Sequence, residues 1–227
     1  MGKFIELSAA DGHKFAAYLA EPSGEKGGKA RGGVVVIPEI FGVNSHIQQV
    51  TDGFAADGYR AVAPAMFDRV QRNYDTGYSQ PEIQAGVAIM QKLDPKNSIM
   101  DVEAATAEAA KAGKVGIVGY CFGGTIAWLA AARAKGLACS VPYYGGGMHG
   151  LIKEQPKIPV MANFGETDQS PTLAQAKEIV AAHPEIVAHF YPNAGHGFNC
   201  DQRGSWNADA AKLARSRTIE FFRKHIG

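Results

Sequence analysis

Apolar positions along this chain fall into two patterns, short continuous runs and stretches of helical spacing, and from residue 33 onward the two alternate. Residues 33–38 (GVVVIP) form a continuous, largely β-branched run, as expected of a buried parallel strand covered on both faces. Residues 59–63, 115–118, 138–144, 160–165 and 186–191 are further strand candidates. Between and after them, helical spacing predicts helices over 45–57, 81–93, 98–112, 125–135, 172–182 and 208–225. Gly58, Gly113 and Gly136 close three of these. Ahead of the alternation, Lys3–Ser8 and Lys14–Ala20 suit a hairpin turning near Asp11-Gly12, followed by a Gly-rich loop over 23–33. The pattern predicts an α/β fold: a doubly wound, mostly parallel sheet with helices on both faces, whose ligand sites lie beyond the carboxyl ends of the strands.

Length changes this picture little. A chain of 227 residues with no separating linker or internal repeat suits one domain, 1–227. Charge excludes more. With 23 Lys and Arg against 22 Asp and Glu, and no basic run, a nucleic-acid partner is not expected. No apolar run approaches the ~20 residues that span a bilayer, and residues 1–9 lack the basic and apolar segments of a secretory signal. A cytoplasmic protein without a membrane partner, monomeric or a small homo-oligomer, is expected. Three cysteines without a C-x-x-C pair point to free thiols, with neither a disulfide framework nor a metal site. No cofactor motif is present: Gly119, Gly123 and Gly124 do not make G-x-G-x-x-G, and no P-loop lysine follows.

Chemistry concentrates at Gly119-Tyr120-Cys121-Phe122-Gly123, directly after the run at 115–118. G-x-C-x-G is the nucleophile-elbow pattern of the α/β-hydrolase fold with Cys in place of Ser. Flanking glycines permit a tight turn that lifts the side chain above the sheet, and the following helix N-terminus favours the thiolate. Standing alone, the pattern also fits a small buried thiol at a strand-to-helix joint. Two downstream residues bear on the choice. Asp168 follows the apolar run at 160–164, and His196 lies between two glycines after the last strand candidate. Nucleophile, acid, histidine is the chain order of α/β-hydrolase triads. Asp168 has two alternatives to weigh, a helix-capping role near Pro171 and competition from Glu166. An oxyanion hole would draw backbone N–H groups from Phe122 and from Ile40, in the loop after the 33–38 strand. Glu39 sits at the mouth of the sheet, either as a solvated loop residue or as part of the site.

Four motifs, Pro38-Glu39-Ile40-Phe41-Gly42-Val43-Asn44, Gly119-Tyr120-Cys121-Phe122-Gly123-Gly124, Gly165-x-x-Asp168 and Ala194-Gly195-His196-Gly197-Phe198, together resemble the dienelactone hydrolase family over nearly the whole chain. That resemblance implies a Cys121–His196–Asp168 triad acting on an enol lactone or activated ester through an acyl-thiol. It also implies that Glu39 holds or deprotonates the thiol according to whether substrate is bound. Family members open dienelactone to maleylacetate and bind its carboxylate through arginines. Arg69 fits one arginine position, whereas Cys200 stands where the second is expected and Arg203 lies nearby. A small-molecule lactone or ester is the partner so implied. The rival is a non-catalytic or redox-sensing protein on the same fold, with Cys121 as an oxidisable thiol.

Overall fold

A computed structural model of the protein describes residues 2–22 and 30–227. Most of the Gly-rich loop expected at 23–33, residues 23–29, lies outside the described residues. The elements run β1 (Lys3–Ser8), β2 (Lys14–Ala20), β3 (Gly33–Ile37), α1 (Ser45–Ala56), β4 (Arg60–Pro64), α2 (Gln80–Met90), α3 (Pro95–Ala109), β5 (Val115–Tyr120), α4 (Phe122–Arg133), β6 (Leu137–Tyr143), β7 (Met161–Gly165), α5 (Leu173–Ala182), β8 (Val187–Tyr191) and α6 (Ala208–Ile226). One sheet holds all eight strands in the order β1-β2-β4-β3-β5-β6-β7-β8. The β1–β2 and β2–β4 pairs are antiparallel, and every other pair is parallel.

Alternate side chains of the central strands feed two cores. Val34 and Val36 join Val118, Tyr143, Phe54 of α1 and Phe222 of α6 on one face. Val35 and Ile37 join Ile117, Val102 of α3 and Leu129 of α4 on the other. Full burial of β3 and β5 on both faces is the reason these strands appear in the sequence as unbroken apolar runs. Side-chain caps fix the helix starts: Asn44, Asp94, Thr172 and Asn207 each accept an N–H from the first turn that follows.

Two boundaries differ from the pattern in an informative way. Helix α4 begins at Phe122, not residue 125, because close packing overrides the low helix propensity of Gly123 and Gly124. A Cβ on Gly123 would stand 2.3 Å from the Ile37 carbonyl oxygen, and one on Gly124 2.3 Å from that of Tyr143. Helix α3 begins at Pro95, not residue 98, because Asp94 caps it by accepting the Lys96 N–H at 2.8 Å. No helix among the described residues is long and apolar enough to cross a membrane.

Candidate active site

Cys121 caps α4 with φ 56° and ψ −115°, a conformation that costs a non-glycine residue about 1–3 kcal/mol. The surrounding backbone enforces it. Cys121 donates its N–H to the Tyr143 carbonyl at 3.1 Å, and its own carbonyl accepts from Thr125 at 3.1 Å. Gly119 is required by contact, since a Cβ there would meet the Gly123 carbonyl oxygen at 1.9 Å. Strand and helix thus close on each other below the cysteine, leaving its side chain at the lip of a cavity of about 480 Å³.

Loops after β7 and β8 supply the next two residues. His196 Nδ1 lies 3.0 Å from Asp168 Oδ2, and the Asp168 side chain is almost fully buried. The other Asp168 oxygen accepts the Ser170 N–H at 2.7 Å. This carboxylate therefore does not cap α5, whose cap is Thr172, and Glu166 is exposed. Burial opposes a charge on His196, but Cys121 and the Asp168 hydrogen bond outweigh it and push the imidazole up to about 11. At neutral pH the ring holds a proton beside the sulfur.

Ile40, Cys121, Phe122, His196 and Arg203 all line this one cavity. The Phe122 amide opens α4 and has no intrahelical acceptor, so it is free to face an oxygen held over Cys121. Helix α2 rests directly on the other loop: a Cβ on Gly86 would lie 2.4 Å from the Ile40 carbonyl oxygen.

The charged residues sort differently from the pattern's implication. Glu39, 2 % exposed, accepts from Arg203 Nη1 at 2.9 Å, so in this structure its partner is the guanidinium, not the thiol. Arg203 also stacks over Phe41 and Tyr78, with 5.5 and 5.9 Å to the ring centroids. Gly197 makes room for it, because a Cβ there would sit 2.4 Å from Nη1. Arg69 does not belong to the site. Its guanidinium is bidentate to buried Asp101 at 2.7 and 2.8 Å and also bonds Asp11 at 2.8 Å, and it does not line the cavity. The expectation of Arg69 as a substrate-binding residue is corrected accordingly: its donors are committed to two carboxylates elsewhere.

Two features escaped the sequence pattern. Tyr144, with φ 37°, packs edge-on against His196 at 5.3 Å, and its buried hydroxyl has no hydrogen-bond partner among the described residues. Its place in the Tyr143-Tyr144-Gly145 run at the end of β6 was the available signal. His46, Cys200 and Asp201 bring donor atoms within 4.8 Å of one another, the grouping among the described residues able to hold a metal. Burial and nearby Glu39 push the Cys200 thiol up to about 11, and none of the three lines the cavity.

An eight-stranded, mostly parallel sheet with a strained Cys121 turn after β5, Asp168 after β7 and His196 after β8 defines the class: an α/β-hydrolase fold. The model of the dienelactone hydrolase family matches residues 15–226. Carboxymethylenebutenolidases of Pseudomonas putida and Pseudomonas knackmussii are each 34% identical over 229 residues, covering 96% of this chain and 94% of theirs. A provisionally named dienelactone hydrolase from Klebsiella pneumoniae superposes with a TM-score of 0.83 at 25% identity, covering 98% of this chain and all of that one. The chain belongs to the dienelactone hydrolase family, and with it to the carboxylic ester hydrolases.

Proposed function

We propose that the protein hydrolyses activated esters or enol lactones with Cys121 as nucleophile, His196 as general acid and base, and Asp168 as the residue that orients the imidazole. One observation carries this reading: His196, hydrogen-bonded to buried Asp168 at 3.0 Å, shares a cavity with a cysteine held at φ 56°.

The Cys121 sulfur adds to the carbonyl carbon, and the oxygen takes the electron pair under the N–H groups of Phe122 and Ile40. Collapse breaks the carbon–oxygen bond to the leaving group, which takes the His196 proton as it departs. An acyl-thiol remains. His196, now neutral, removes a proton from water, hydroxide adds to the thioester, and the thiolate is expelled. Asp168 holds the Nδ1 proton throughout, so Nε2 is the atom that exchanges protons. Glu39 neutralises Arg203 beside the cavity, so the guanidinium is held in place while the acyl group is transferred.

Intact-mass spectrometry after rapid mixing with an activated aryl ester tests the reading. Wild type should gain one acyl mass on the peptide containing Cys121, and Cys121→Ala should gain none. Equal turnover by both proteins would sink the assignment.

A further inference from the structure

The cavity beside Cys121 is walled by two facing stripes of apolar side chains. On α2, Ile83, Val87 and Met90 follow the i, i+4, i+7 spacing of a single helix face, and Leu93 extends the row. On α4, Phe122, Ile126 and Leu129 repeat that spacing on the opposite wall. Because α4 starts at the nucleophile, its stripe leads away from Cys121 over about 10 Å, seven residues at the helical rise. Several members of the α2 row remain only partly buried, so apolar surface there faces the cavity.

Ionisable groups in its lining are few. His196 and Arg203 are the titratable side chains lining the cavity beside Cys121, and the Arg203 charge is already met by buried Glu39. Ser98 spends its hydroxyl hydrogen on the Asp94 carbonyl, and Thr125 Oγ1 accepts the Gly147 N–H. Arg69, expected to meet a substrate carboxylate, is held outside the cavity by Asp101 and Asp11.

We infer that this slot receives an uncharged aliphatic or aryl acyl group, so the preferred substrates are hydrophobic esters or lactones and not ones with a carboxylate on the acyl side. The inference rests on the acyl-thiol reading above, since the group that stays on sulfur is the one that must lie along α4. A chain buried there removes methylenes from water, and each contributes about 0.8 kcal/mol, or about fourfold in kcat/KM.

The experiment is a series of p-nitrophenyl acetate, butyrate, hexanoate and octanoate, with the p-nitrophenyl monoester of adipic acid as the charged partner of hexanoate. Expected are a rise of about fourfold per methylene until the slot is full and a kcat/KM for the adipate monoester at least tenfold below that for hexanoate. Val87→Trp, which fills the slot at a partly buried position, should lower the octanoate-to-acetate ratio of kcat/KM at least tenfold. A flat or falling series, an adipate monoester turned over as well as hexanoate, or an unchanged ratio in Val87→Trp overturns the inference. Cys121→Ala run through the same series separates the two ideas: full activity there overturns the nucleophile assignment, whereas a flat series in wild type with an inactive Cys121→Ala overturns only the slot.

Discussion

Arg69 and Arg203 occupy two regions built from the same pieces and put to different ends. Each guanidinium meets a carboxylate almost wholly removed from water, Asp101 in one case and Glu39 in the other. Around Arg69, a bidentate contact and a second carboxylate use up the planar fork, and the result ties the loop before β2 to α3. Around Arg203, one hydrogen bond and two aromatic faces hold the group at the wall of a cavity beside Cys121. A fully committed arginine is a fastener, whereas one held by a single bond keeps donors for something else. Residue type is alike in the two cases. The number of partners the fold supplies is what differs.

The largest effect should fall at the cavity. Cys121→Ala is expected to lower kcat/KM on an activated aryl ester by about 10⁴-fold or more with the circular dichroism spectrum unchanged. Asp168→Asn should cost about 10³- to 10⁴-fold, because the amide presents an N–H toward Nδ1 and favours the wrong tautomer; steady-state kinetics reads this directly, and a loss below tenfold would remove Asp168 from the mechanism.

The two arginines then part company under a common substitution. Arg69→Met and Arg203→Met each strand a buried carboxylate, so each should lower unfolding free energy by about 3–5 kcal/mol in urea titrations. Only Arg203→Met should also depress kcat/KM; equal activity losses would make Arg69 a site residue after all. A smaller effect concerns the proton on His196. Cys121 and Asp168 raise the His196 pKa, so the imidazolium's contribution to stability should be complete below the ordinary histidine range and lost as pH rises through the raised value. Cys121 is the foremost group raising it, so in Cys121→Ala the NMR titration of His196 should move to lower pH. An unmoved titration would mean that the sulfur and the ring are not coupled. Smallest is Thr172→Ala, which removes the α5 cap and should cost about 1 kcal/mol without altering kcat/KM, confirming that Asp168 is not needed for capping.

Readability from sequence followed the range of the forces involved. Buried parallel strands announce themselves because both faces must be apolar, as in Val34–Ile37 and Val115–Val118. The elbow was readable because close contacts at Gly119 and Gly123 admit no side chain. The start of α4 was not, since propensity argues against a helix through two glycines and only contact with β3 and β6 favours it. Asp168 was separable from Glu166 only once one was buried against His196 and the other exposed.

The amino-acid sequence by itself determined the alternation of elements, the tight turn at Cys121 and the order of Cys121, Asp168 and His196 along the chain, because these depend on local sterics and on which faces must leave water. Tertiary structure alone decided the pairings. Arg69 turned away from the cavity to Asp101, Arg203 turned inward to Glu39 over a glycine that left it room, and two helix stripes 39 residues apart in sequence came to face each other across one slot. Side chains that reach several ångströms toward partners far away in the chain carry no local signature, so only the folded arrangement reveals which charge each one meets.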